Sequence, residues 1–311
     1  MRLSERALGL LLGSVLDLAF ADPRRAHPVA AFGRLAAAAE RRCWADSRGR
    51  GALYTAALVG GATALGCALQ RVSRQPAVRV ATVAVSTWAV LGGTTLAREG
   101  TAMAGLLRDD RVPEARGRLG HLCGRDADTL DRAELTRATV ESVAENTADA
   151  VVAPLCWGAV AGVPGLLAYR AVNTLDAMVG HRSPRYLRFG WAAARLDDLA
   201  NLVPARLTAL LVAALAPLVG GSAATAWQVA RSDGGDHPSP NAGRVEAAFA
   251  GALGLRLGGA NVYAGQRERR GTLGNGNTPE VDDIARAVRL SLLLWAVALA
   301  VTAVACGGGR R

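Results

Sequence analysis

Val140 to Leu155 reads VESVAENTADAVVAPL, which sets Glu141, Glu145 and Asp149 at four-residue intervals. On a helix that spacing aligns the three carboxylates in one stripe, where like charges repel. A divalent cation relieves such repulsion, and hard oxygen ligands suit Mg²⁺ bound together with a phosphate-bearing substrate. A solvated helix face is the plainer alternative. Against it, Val140, Val143, Ala144, Val151 and Val152 leave little polar surface on the segment apart from these acids and Asn146.

Two further blocks concentrate chemically capable side chains. YRAVNTLDAMVGHRSPRYLRFGWAAARLDDLANLVPAR holds Asn173, Asp176, His181, Arg182, Arg195, Asp197, Asp198 and Asn201. Asn173 with Asp176, and Asp198 with Asn201, repeat an i, i+3 spacing that places an amide and a carboxylate on one helix face. Such pairs bind metal or orient a polar ligand, or they serve an interfacial loop as caps. DGGDHPSPNAGRVEAAFAGALGLRLGGANVYAG is turn-rich, with Asn241 placed to cap a helix that carries Glu246. Gly251, Gly254, Gly258 and Gly259 allow close backbone approach, either between helices or to a phosphate. No strand is predicted ahead of them, as a nucleotide fingerprint would require.

The elements that must carry these blocks are apolar. The chain has 311 residues, 51% of them hydrophobic, and they come in runs rather than dispersed by a helical period. Gly51–Gln70, Ala77–Ala97 and Ala287–Cys306 each approach the roughly 20 residues that cross a bilayer as helix. The stretch ALGLLLGSVLDLAFADP has features of a signal peptide, but Asp17 interrupts its apolar run, and an uncleaved first membrane helix is expected. Residues 98–149 predict amphipathic helices with a turn near Gly124–Asp126. Ala150–Tyr169 and Leu207–Trp227 are apolar but rich in Gly and Pro. A simple span over Ala150–Tyr169 would put the Arg-rich loop 170–206 outside, against the positive-inside rule. Kinked or re-entrant helices are therefore expected there. The predicted fold class is all-α, a polytopic membrane protein with amphipathic cytoplasmic helices, organised as a single domain over residues 1–311.

Composition excludes several functions. The net charge is +10 and every basic residue is Arg, because the chain contains no Lys. Without Lys neither a P-loop nor a pyridoxal-phosphate Schiff base can form. The basic residues lie between apolar runs without interleaved aromatics, which argues for cytoplasmic loops rather than nucleic acid. The five cysteines are scattered without Cys-x-x-Cys spacing and read as small buried hydrophobes.

LLGSVLDLAFADP…HPVAAFG, VESVAENTADAVVAPL, YRAVNTLDAMVGHR, ARLDDLANLVPARLTAL and HPSPNAGRVEAAFAGALGLRLGGANVYAG, in this order from about Leu11 to Gly265, together resemble the CobD/CbiB cobalamin-biosynthesis proteins. Ala21, Ala148, Ala150 and Arg244–Val245 depart from that family's usual residues without removing a carboxylate or amide. The resemblance implies a multi-pass cell-membrane adenosylcobinamide-phosphate synthase, a carbon–nitrogen ligase. It would join aminopropanol or its phosphate to the f-side-chain carboxylate of adenosylcobyric acid, with ATP as co-substrate and Mg²⁺ as cofactor.

On that reading Glu141, Glu145, Asp149, Asp176 and Asp198 supply the catalytic acids and base, and Glu145, Asp149 and Asp197 hold metal. Arg170, Arg182 and Arg195 neutralise phosphate as guanidinium forks. Asn146, Asn173 and Asn241, with His237 and Glu246, contact substrate. Expected partners are the corrinoid, the aminoalcohol, membrane lipid and other corrinoid-pathway enzymes. His27, His121, His181 and His237 are the histidines available to a corrin cobalt. A transporter would also use broken helices and intramembrane acids, but its usual internal repeat is missing here. A non-catalytic scaffold would not need acids and amides in three separate blocks.

Overall fold

The computed structural model describes residues 4–23, 27–263 and 266–307. In chain order its helices are α1 (Glu5–Phe20), α2 (Pro28–Cys43), α3 (Arg48–Val72), α4 (Pro76–Val90), α5 (Gly93–Arg108), α6 (Val112–Leu119) and α7 (Arg132–Thr147). After a π-turn at Ala148–Val152 come α8 (Ala153–Val179), α9 (Trp191–Ala200), α10 (Leu202–Leu215), α11 (Ala223–Ser232) and α12 (Ala242–Leu253). A hairpin of β1 (Leu257–Tyr263) and β2 (Gln266–Leu273) precedes α13 (Val281–Gly307). Arg48–Val72, Pro76–Arg108, Arg132–Val179, Leu202–Val219 and Val281–Gly307 are long and apolar enough to cross a membrane. The protein is thus an all-α polytopic membrane protein, as its apolar runs predict. At 16 residues, α1 measures about 24 Å, short of the roughly 30 Å of hydrocarbon, and it is not among these five.

Contacts divide the chain into two compact units. The first comprises Met1–Gly92, Asp149–Asn201 and Ala298–Arg311; the second comprises Gly93–Ala148 and Leu202–Val297. Neither is a continuous stretch of chain.

In the first unit α1 lies along α4, with Gly9 against Val83 and Gly13 against Thr87. The helix α3 packs on α8 so closely that a Cβ on Gly66 would stand 2.6 Å from the Pro164 Cα. The kink expected in Ala150–Tyr169 is present. Gly162 takes φ 66°, ψ −142°, which breaks the run of helical dihedrals two residues before Pro164. Only glycine adopts that conformation readily. An aliphatic and aromatic cluster of Ala36, Tyr54, Leu175, Val179, Phe189 and Ala193 closes the core between α2, α3, α8 and α9.

In the second unit α7 begins with a capping box. Asp131 accepts from the Glu134 amide and Glu134 accepts from the Asp131 amide. That satisfies two of the donors a helix start leaves open. Met103, Leu107, Leu135, Val143, Phe249 and Leu294 are fully buried and join α5, α7, α12 and α13 in one core. Leu207–Trp227 is not one helix, because α10 ends in a 3-10 turn at Ala216–Val219 and Gly220 (φ 76°) turns the chain into α11.

Four glycines of the third block serve the backbone. Gly251 lets α12 approach α11 at Ala226, Gly254 ends α12 in a left-handed cap, and Gly258 and Gly259 bear positive φ at a register shift in β1. The hairpin has no sequence-based forecast, because a Gly-Gly start and an Arg-rich second strand carry little apolar alternation.

Candidate active site

The aligned stripe of three acids does not persist. Glu141 and Glu145 lie on α7 in the second unit, whereas Asp149 lies in the π-turn, where the chain re-enters the first unit. A π-turn bonds i to i+5 and departs from the four-residue repeat on which the stripe depends. Each unit therefore holds its own polar cluster.

In the second unit Glu141 is 2% exposed and fully engaged. Its Oε2 accepts from Arg125 Nη2 at 2.7 Å, and its Oε1 accepts from Arg137 Nη1 at 3.1 Å and from the Gly258 amide at 2.7 Å. Arg137 also donates to the Gly258 carbonyl. Glu141 is thus a clamp that ties the 120–131 loop and the start of β1 to α7. Asn146 plays a similar part, donating to the Leu122 carbonyl at 3.3 Å and to the Ser142 carbonyl at 2.8 Å.

Glu246 differs from Glu141. It is 1% exposed on α12, and neither carboxylate oxygen has a hydrogen-bond partner among the described residues. Burial raises its pKa well above the usual carboxylate range; Glu141 and Glu145 add to the shift, and Arg270 and Arg125 oppose it. His237 Nε2 stands 3.6 Å from Glu246 Oε1, too far for a hydrogen bond. The His237 Nδ1 lies 3.0 Å from the Ser239 amide nitrogen and 3.2 Å from the Ser239 carbonyl, so the backbone at Ser239 holds that side of the ring. Burial, with Arg270 next, lowers the His237 pKa to about 4, so the ring is neutral at physiological pH. A buried carboxyl with a raised pKa and unused oxygens is the kind of group that exchanges protons with a ligand.

Asn241 stands at the start of α12 but makes no capping bond with its side chain. Ser239 does the capping instead, its Oγ accepting from the Asn241 amide at 3.4 Å and from the Ala242 amide at 3.2 Å. The Asn241 Oδ1 accepts from Arg206 Nη1 at 3.3 Å.

In the first unit Asn173 and Arg170 lie on α8 rather than in a turn. Asn173 Nδ2 donates to Asp149 Oδ2 at 3.2 Å, and Arg170 Nη1 donates to Asn173 Oδ1 at 3.3 Å. The Tyr169 hydroxyl reaches the Asp149 carbonyl (3.2 Å) and Asn201 Oδ1 (2.9 Å), and Asn201 Nδ2 donates to Asp197 Oδ2 at 3.0 Å. Asp22, Asp149 and Asp17 all act electrostatically on Arg170. His27 caps α2 by accepting from the Val29 amide and holds Asp22 through Nε2 at 3.1 Å.

Beside this network α2, α3, α4 and α8 line an apolar cavity of about 430 Å³, and among the described residues Arg170 is the one charged group in its wall. Asp176 lies near the end of α8 against Gly180. Arg182 is exposed, and Arg195 pairs with Asp198 at 3.6 Å. Partial burial raises the Asp198 pKa, and Arg195 and Arg182 oppose the rise.

A family model described as CobD/Cbib protein matches residues 10–291. The chain belongs to the CobD/CbiB family. It is 56% identical over 291 residues to the Cobalamin biosynthesis protein CobD of Mycobacterium tuberculosis, covering 94% of this chain and 93% of that protein. Proteins of the same name from Geobacter metallireducens (44% identical, 88% of each chain) and Chromobacterium violaceum (42% identical, 97% of this chain and 98% of the other) are also similar. No solved structure matches.

In this CobD/CbiB chain no three His, Cys, Asp or Glu side chains converge in a metal-holding arrangement among the described residues. Mg²⁺ does not require that, because it takes one or two carboxylates and completes its shell with water and substrate phosphate. Asp149 and Asp197 supply such hard oxygens in the first unit. Asp17, Asp22, Arg125, Arg137, Tyr169 and Arg270 belong to the clusters although sequence reasoning did not select them. Asp17 carried a usable signal, since an acid within an apolar helix is a functional candidate by default.

Proposed function

We propose that this protein acts in cobalamin biosynthesis, in the cell membrane, as an amide synthase. It joins the amine of aminopropanol or of aminopropanol phosphate to the f-side-chain propionate of adenosylcobyric acid. The relatives' name supports the pathway. The observation that carries the chemistry is Glu246, a buried carboxyl whose two oxygens have no hydrogen-bond partner among the described residues.

A carboxylate is a poor acylating agent. ATP transfers its terminal phosphoryl group to the propionate, giving an acyl phosphate and ADP. The amine attacks the acyl carbon, the C–N bond forms, the C–O bond to phosphate breaks, and phosphate leaves. The amine must shed a proton, and Glu246, with Glu145 beside it in the electrostatics of the second unit, is suited to receive it. Neutral His237 stands 3.6 Å from that carboxyl. Arg125 and Arg270 offset the negative charge of the carboxylates, and of the aminoalcohol's phosphate where one is present. In the first unit Arg170 stands in the wall of an apolar cavity and donates to Asn173 beside it. Mg²⁺, were it bound at Asp149 and Asp197, would supply positive charge to that polar cluster of the first unit.

Calorimetric titration of the detergent-solubilised protein with aminopropanol phosphate tests this assignment. Wild-type protein is expected to bind it, and Glu246→Gln to weaken binding by about tenfold or more. Equal affinities would remove Glu246 from the substrate site.

A further inference from the structure

Within the second unit α10, α11 and α12 enclose a pocket of about 270 Å³ whose lining includes Arg206, Arg231, Arg244, Leu210 and Trp227. Each of the three helices contributes one guanidinium. Arg206 is held by neutral acceptors, the Leu202 carbonyl at 2.7 Å and Asn241 Oδ1 at 3.3 Å. Among the described residues neither Arg231 nor Arg244 has a carboxylate partner. Arg206 and Arg244 are near enough to repel each other. Like charges gathered in a partly desolvated pocket cost free energy unless an anion shares it.

The surroundings add depth information. α10 opens the candidate membrane span Leu202–Val219, and Arg206 is about one turn inside it. Trp227 is 40% exposed and Leu210 50% exposed, the combination of aromatic and apolar surface found at the headgroup level of a bilayer. Guanidinium forks match phosphate oxygens in pairs, which a point charge does not. We infer that this pocket binds a phosphate group, with Arg206, Arg231 and Arg244 as its ligands and Asn241 as the positioning residue for Arg206. The inference is independent of the amide-synthase reading. The phosphate comes either from an anionic phospholipid headgroup or from a soluble phosphate compound.

The test uses full-length protein in two arms. Native mass spectrometry measures phosphatidylglycerol retained from mixed micelles, and calorimetry measures inorganic pyrophosphate binding in lipid-free detergent. Arg231→Gln/Arg244→Gln is compared with Arg41→Gln/Arg42→Gln, an exposed pair on α2 with the same charge change. The pocket variant is expected to lose at least one of the two activities by about tenfold or more, with the control within about twofold of wild type. Loss of lipid retention alone identifies the headgroup as source, and loss of pyrophosphate binding alone identifies a soluble ligand. The single variant Arg231→Gln, at an exposed position, repeats the measurement where the double variant fails to fold. Unchanged binding in both arms, or an equal loss in the control, overturns the inference.

Discussion

His237 Nε2 and Glu246 Oε1 face each other across 3.6 Å, 2% and 1% exposed, and neither atom has a hydrogen-bond partner among the described residues. The gap is too long for a bond, and an empty polar contact of this kind is costly in a folded chain.

The pair gives the protein an acid-side dependence with two opposing signs. His237 titrates near pH 6.5 when unfolded and about 4 when folded, so the unfolded chain binds more protons between those values. Its contribution to stability is full above pH 6.5 and is lost as the pH falls through about 4. Glu246 behaves oppositely: its raised pKa makes its contribution full below the unfolded value and lost as pH rises through the folded one. In a Glu246→Gln background, thermal melts from pH 4 to 7 should show stability rising with pH by up to about 3 kcal/mol. His237→Gln in the same background should flatten that rise. A slope that survives His237→Gln would assign it elsewhere.

Glu141 and Glu145 share a helix face in sequence but should part in experiment. Glu145→Gln should lower cobinamide formation by roughly 100-fold while membrane expression stays near wild type. Glu141→Gln leaves Arg125, itself 6% exposed, short of its counter-charge, and should cost about 3–5 kcal/mol of stability. Assay and melting curves on both variants check this. Near-normal turnover in Glu145→Gln would return that acid to a solvated-face role.

Asp149 is held by Asn173 at 3.2 Å and belongs to the cluster proposed to take Mg²⁺. Asp149→Asn should raise the Mg²⁺ concentration needed for half-maximal rate. An unchanged requirement would move the metal away from Asp149.

Much of the scaffold was legible in the apolar runs, since α3, α4 and α13 fall where uninterrupted hydrophobic residues predict spans. The bends at Gly162 and Gly220 were legible for the same physical reason that glycine and proline interrupt helices. The site was less so. Nothing local distinguishes Glu141, which Arg125 and Gly258 consume, from Glu246, whose oxygens have no hydrogen-bond partner among the described residues. Those partners lie 16 and 117 residues from Glu141 in the chain. The π-turn at Asp149 was equally hidden, because Ala148–Val152 has the composition of ordinary helix.

The bend itself should tolerate little change. Gly162→Ala forces a side chain into φ 66° and to 2.8 Å from Gln70 Oε1, at a cost of about 1–2 kcal/mol. Thermal unfolding in detergent should show a lowered midpoint, and an unchanged midpoint would mean that α8 straightens without loss.

The most direct measurement is product formation by purified protein reconstituted in lipid with adenosylcobyric acid, aminopropanol phosphate, ATP and Mg²⁺. Mass spectrometry should detect adenosylcobinamide phosphate, with one ADP released per amide formed. Glu246→Gln, folded and inserted, should form it roughly 100-fold more slowly. A folded wild-type protein that yields no amide product under these conditions would contradict the account.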